Sequence, residues 1–146
     1  MTAGAHAAGL PMKSGTWSAD SYAGEGKQTV CETDGVARED SSRFLRIWHG
    51  YGKINHFHLR GYAPNADVTL QAGDYKETWK ADAAGRIDLV GIARPTMIES
   101  MIAQAGKGGA LTVTGVSANG RNTVLTYSLD GFPETYAAIS AACGAK

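Results

Sequence analysis

Hydrophobic and polar positions alternate with a period of two in a series of short segments separated by turn signals, and in two places the spacing becomes helical. Arg43-Phe44-Leu45-Arg46-Ile47-Trp48-His49 has the aromatic and branched residues of a half-buried strand. It passes through Gly50-Tyr51-Gly52 into Ile54-Asn55-His56-Phe57-His58-Leu59-Arg60, which predicts a hairpin. Turn signals at Ala63-Pro64-Asn65 and Gly73-Asp74 bracket strands over 67–72 and 75–81, and Asp82 to Arg86 turns the chain into a short strand over 87–90. Nearer the N-terminus, Thr16 to Ala19 could begin the first strand, and Tyr22 to Lys27 reads as a Gly-rich turn. Gln28 to Thr33 reads as a further strand, followed by a polar stretch to Ser42 with Asp34-Gly35 as its turn signal.

The period changes first at Pro95, which suits a first helical turn. Met97, Ile98, Met101, Ile102 and Ala105 then recur at helical spacing up to Gly106. A Met stripe of this kind belongs to a core more often than to a cofactor pocket. Ala110 to Ala118 and Arg121 to Leu129 flank Asn119-Gly120, a strong hairpin signal because a type I′ turn takes positive φ at both central positions. The second change follows Asp130-Gly131, where Phe132, Tyr136, Ile139 and Cys143 share one helical face. The expected fold is therefore α+β: a mostly antiparallel sheet or sandwich of about eight strands with two short helices, the last one C-terminal.

The 146 residues fit one domain large enough to bury a core. Residues 1–15 show no periodicity and read as a flexible leader or a signal-peptide remnant, with 16–146 as a single globular domain. Ala5-His6-Ala7 has the small-x-small form of a signal-peptidase site, and the plain alternative is an Ala/Gly lead-in. A formal net charge of zero, with Lys76, Lys80 and Arg86 interspersed among acids, argues against a nucleic-acid binder. No apolar run approaches the length of a transmembrane helix.

Cys31 and Cys143 bracket nearly all of the predicted domain. Paired, they would tie an early strand to the last helix and close a long loop; left free, they would be two small buried hydrophobes. The paired reading places the protein in the periplasm or outside the cell.

Histidines are the metal candidates. His56 and His58 sit two apart on one strand and share a face, and His49 ends the partner strand. Converging, the three could hold zinc or copper with an open position; otherwise they are polar residues on an exposed strand, and no cofactor is needed. Trp48, Tyr51, His56, His58 and Tyr62 are the candidate binding residues, because aromatics grouped on a sheet face could take a sugar, a peptide or a partner protein. For tryptophans 17, 48 and 79 the alternative is core packing. No Gly-x-Ser-x-Gly elbow, phosphate loop or calcium loop is present: Ala105 to Gly109 follows a helix, and Asp82 to Arg86 lacks a terminal Glu. Asp74, Asp82 and Asp88 read as solvated turn carboxylates.

The C-terminal third resembles the small exported bacterial proteins of the invasion-associated locus B type. The resemblance rests on Ser128-Leu129-Asp130-Gly131-Phe132 running into an Ala-rich helix, Tyr136-Ala137-Ala138-Ile139 to Cys143, together with an early Trp17 followed by Cys31. It implies a periplasmic or surface-associated β-rich domain without known catalytic residues, acting through interactions. The leading expectation is an exported, disulfide-stapled, non-catalytic binding module for a protein or small-molecule ligand. The alternatives are a metal-binding protein using His49, His56 and His58, and a small hydrolase or isomerase built around a His–carboxylate pair in a pocket.

Overall fold

Alternation along the chain becomes two stacked sheets. The computed structural model describes residues 9–89 and 95–144. Their strands are β1 (Met12–Ser14), β2 (Trp17–Ala23), β3 (Thr29–Val36), β4 (Phe44–Gly50), β5 (Lys53–Leu59), β6 (Asp67–Ala72), β7 (Tyr75–Lys80), β8 (Ile87–Leu89), β9 (Ala110–Val116) and β10 (Asn122–Ser128). The helices are α1 (Pro95–Gly106) and α2 (Phe132–Cys143). One sheet runs β1-β2-β3-β4-β5-β8 and the other β10-β9-β6-β7, with every pairing between these strands antiparallel. The α+β reading holds, with ten strands where about eight were expected.

Two differences have plain causes. Met12–Ser14 lies within the stretch read as a leader, yet it pairs with Trp17–Ala19 as a short edge strand, and Leu10 beside it is buried. Three residues are too few to show a period. Asp34-Gly35 reads as a turn but lies inside β3. There Gly35 lets the Trp17 ring lie directly on the backbone, since a Cβ at that position would run into the indole. Ala5-His6-Ala7 and the end of the expected strand at Val90 fall outside the described residues.

The core lies between the sheets. Leu45, Ile47, Phe57 and Leu59 of the six-stranded sheet meet Val68, Leu70, Leu111, Val113, Leu125 and Tyr127 of the other, with Met97 and Met101 of α1 and Phe132 of α2 completing it. Trp17 is fully buried, edge-on to Phe132 at 4.9 Å, and its indole N–H donates to the Ser128 carbonyl at 2.7 Å. A second cluster of Leu10, Ala19, Cys31 and Ile139 forms where α2 lies on β1 to β4. The buried side of α2 is Phe132, Thr135 and Ile139, with Tyr136 and Cys143 half-buried on its rim. Thr135 earns its place through the Thr33 hydroxyl, which donates to it at 2.8 Å.

The bridge between Cys31 and Cys143 forms, joining β3 to the end of α2 across 112 residues with a Cα separation of 5.8 Å. A loop of that length is worth about 4–5 kcal/mol in the chain-entropy account. Between β9 and β10 the expected type I′ turn is replaced. Ser117 N–H donates to the Arg121 carbonyl and Gly120 N–H to that of Ser117, with positive φ at Gly120 and not at Asn119. That is a three-residue loop ending in a left-handed glycine. The extra residue lets Ser117 also pair with Tyr62 and hydrogen-bond Thr123.

Candidate functional site

Strand parity decides which candidate residues can meet. On β4, Leu45, Ile47 and His49 point inward, while Phe44, Arg46 and Trp48 point outward. Trp48 sits opposite His56 on β5, and Arg46 opposite His58. His56 and His58 therefore share the outer face, as their spacing predicts, and His49 is on the other side of the sheet. The three imidazoles do not converge, and among the described residues no group of three or more His, Cys, Asp or Glu side chains could hold a metal ion.

His49 is instead a structural residue under α2. Its Nδ1 accepts the Asn55 N–H at 3.0 Å, which leaves Nε2–H to donate to the Ser140 hydroxyl at 3.1 Å. The neutral tautomer follows from those partners. Asn55 takes φ of 58° at the irregularity after Trp48, which turns its side chain to accept the Tyr136 hydroxyl at 2.7 Å. Burial lowers the His49 pKa to about 4.

The outer face carries a continuous aromatic and ionic array. The Trp48 and His56 rings stack at 3.8 Å, Tyr51 meets Trp48 edge-on at 6.2 Å, and His56 bonds the Gly50 carbonyl. Burial lowers the His56 pKa, favouring the neutral ring and donation from Nε2–H to that carbonyl. Arg46 makes a fork to Asp34 at 2.8 and 3.0 Å, reaches Glu32 at 3.1 Å and lies over the Phe44 ring. Burial raises Glu32 to about 6 and the Asp34 carboxylate adds to the rise, while Arg46 and the Tyr22 hydroxyl oppose it. His58 is bound to Asp88 further along the face. This is the His–carboxylate pair that a hydrolase reading calls for, but it lines neither the groove at the end of α2 nor the cleft along β1 and β2. Tyr62 is not on this face. It is buried in the core beneath the Arg43 guanidinium, 4.8 Å from its ring centre, held there by its bridge to Ser117.

Geometry gathers at one end of this sheet, around Tyr51. Tyr51 is 44 % exposed, its backbone takes φ of 55°, and its hydroxyl accepts the Glu25 N–H at 3.0 Å. Lys27 and Asn55 also take left-handed φ, so three of the four described non-glycine residues in that conformation lie at this end. Backbone strain persists only where the surroundings enforce it, and it concentrates at functional sites. A groove of about 480 Å³ opens here, with Gln28, Thr29, Gly50, Tyr51 and Gly52 on the sheet side and Ala142 to Gly144 at the end of α2. Cys143 is part of its wall, while Cys31 is fully buried. A shallower cleft lies along β1 and β2, lined by Pro11, Met12, Lys13, Ser18, Ala19 and Asp20.

Sequence reasoning singled out Trp48, Tyr51 and His56 and missed Tyr22, Gln28, Thr29 and Glu32. The turn signal over Tyr22 to Lys27 takes hold only after Ala23: β2 runs through that residue and carries Tyr22 onto the outer face, 46 % exposed. The signal was there: Ser18, Asp20 and Tyr22 alternate with Trp17, Ala19 and Ser21.

The class of protein defined by this architecture is a two-sheet β-sandwich whose C-terminal helix is bridged to an inner strand. No protein-family model matches the chain, and no curated protein matches it in sequence. Among solved structures it is similar to the crystal structure of invasion associated protein B from Bartonella henselae. The TM-score is 0.59 and the identity 19 %, over 90 % of this chain and 95 % of that one. Likeness at that identity is one of fold.

Proposed function

We propose that this chain is an exported, disulfide-stapled binding module with no catalysis of its own, and that it engages its partner through the Tyr51 end of the six-stranded sheet. One observation carries the reading. Tyr51, 44 % exposed, stands on a strained, hydrogen-bonded turn in the lining of a groove whose wall includes the end of the bridged helix, and Tyr22 is exposed on the outer face of β2, the strand next to β3. Rigid aromatics supply contact area at little entropic cost, which is what a binding surface needs and a core does not. Export is supported by the bridge, which persists in oxidising compartments. No described helix is long and apolar enough to cross a membrane.

The test is site-specific photo-crosslinking in cells that make the protein. The crosslinker is placed at Tyr51 and, as a control, at Val124 on the outer face of the other sheet, which is 56 % exposed. Discrete adducts from position 51 and none from 124 are expected. No adduct at 51, or equal labelling at both, would sink the proposal. Two free thiols in the exported protein, read by non-reducing mass spectrometry, would remove the export argument.

A further inference from the structure

The groove at Tyr51 has a composition that narrows its ligand. We infer that it binds a short, uncharged oligosaccharide, with the Tyr51 ring as the stacking platform. This rests on the reading of the chain as a binding module and goes further by naming the ligand class.

Among the described residues, none that lines the groove carries a charge. In a chain where acids and bases are otherwise interspersed, that disfavours phosphate, carboxylate or ammonium ligands, since burying an unpaired ligand charge is costly. The wall offers one aromatic ring, one primary amide at Gln28, one hydroxyl at Thr29 and the glycine-flanked backbone at Gly50 and Gly52. Carbohydrate surface has the complementary chemistry: apolar C–H faces for an aromatic ring and hydroxyls for amides and backbone groups. At about 480 Å³ the groove is large enough for a disaccharide and falls within the range of small-ligand sites, roughly 300–1,000 Å³. The ring is also positioned in advance. The Glu25 N–H holds its hydroxyl, Trp48 meets it at 87°, and its backbone is fixed in the left-handed region, so little ordering remains to be done on binding.

A peptide fits less well. Extended peptides add to free strand edges, and the edges of this sheet are β1 and β8. The groove lies at the start of β3 and the β4–β5 turn, strands that have partners on both sides.

The experiment is an amide NMR titration of the intact, oxidised chain with three probes: N,N′-diacetylchitobiose, cellobiose and tetra-alanine. At least one disaccharide is expected to shift the amides of Thr29, Gly50, Tyr51 and Gly52 with a millimolar Kd, leaving those of β9 and β10 unmoved. Tyr51→Gly is the ring-removing variant of choice, because glycine adopts positive φ freely where alanine would be strained. It should weaken binding by about tenfold. Gln28→Ala, on an exposed extended residue outside the turn, should weaken it severalfold and keeps the test valid if the first variant disturbs the hairpin. No shift with either disaccharide up to about 20 mM, well above a millimolar Kd, overturns the inference. So do shifts that fall outside the groove. If tetra-alanine moves the same amides as strongly, a peptide replaces the saccharide. Adducts at position 51 in cells alongside a silent saccharide titration would remove this inference and leave the binding-module reading in place.

Discussion

Acidification should unfasten this protein at one residue, His49. The side chain is 1 % exposed beneath α2, and both ring nitrogens are committed as a neutral imidazole. A second proton would go on Nδ1, directly against the Asn55 N–H that it now accepts. Its pKa is lowered from 6.5 to about 4, by burial first. For a base held low in the folded state, the unfolded chain takes the proton more readily. The contribution to stability is complete above about pH 6.5 and is lost as pH falls through 4. Two and a half units at 1.36 kcal/mol each give about 3 kcal/mol, with a slope approaching 1.4 kcal/mol per pH unit between those limits. The measurement is urea unfolding by tryptophan fluorescence from pH 7.5 to 3.5, on the wild type and on His49→Asn. Asn keeps an acceptor for the Asn55 N–H but cannot titrate. It should be less stable at neutral pH because it leaves a small void. The gap between the two should close by about 2–3 kcal/mol on the way to pH 4. Reading the difference cancels the carboxylates, of which Glu39, Asp40 and Asp82 are held low by hydrogen bonds and add their own losses in acid. Parallel profiles for the two proteins between pH 7 and 4.5, or an NMR midpoint for His49 near 6.5, would refute the reasoning.

Glu32 should behave in the opposite sense. Its carboxyl is raised to about 6, so its contribution is present below about pH 4.5 and is lost as pH rises through 6. Glu32→Gln should therefore gain up to about 2 kcal/mol at pH 7.5, since the pull of Arg46 is already part of the net rise, and nothing at pH 4. A loss at pH 7.5 in the same denaturation series would show that the contact with Arg46 outweighs the cost of burial. Cys31→Ala with Cys143→Ala should lower stability by about 2–5 kcal/mol in urea, and an unchanged midpoint would show that α2 docks without the bridge. Gly131→Ala should cost at least about 2 kcal/mol, read as a fall of several degrees in Tm. Gly131 has φ of 93°, and a Cβ there would collide with the Ser14 carbonyl at the β1–β2 turn; a Tm unchanged by the substitution would contradict that packing.

How much of this was legible in the chain follows from where the information is local. The last two strands and α2 were plain, because their period, turn residues and apolar stripe lie within short windows. The bridge could be anticipated from one strand-like cysteine and one at the end of a helical stripe. What the sequence did not contain was register. Trp48 stands opposite His56, so His49, one residue on, faces the core, and a single step of parity separates a three-histidine cluster from a buried structural imidazole. Tyr62 misled for a related reason: a lone pairing with Ser117, 55 positions away, turns a loop aromatic into the core. The groove at Tyr51 is assembled from three separate segments and a backbone conformation that non-glycine residues seldom adopt, and neither feature leaves a periodic trace.

The position of Cys31 has a consequence for how the chain matures. Its partner is 112 residues later, on the last helix. During N-to-C synthesis the third strand thus carries an unpaired thiol while almost every other element is made. No hairpin or subset of strands that lacks α2 can close the bridge. Oxidation is therefore a record of docking: a chain in which Cys31 no longer reacts with alkylating agents, yet is released by reductant, is one in which α2 has reached its seat.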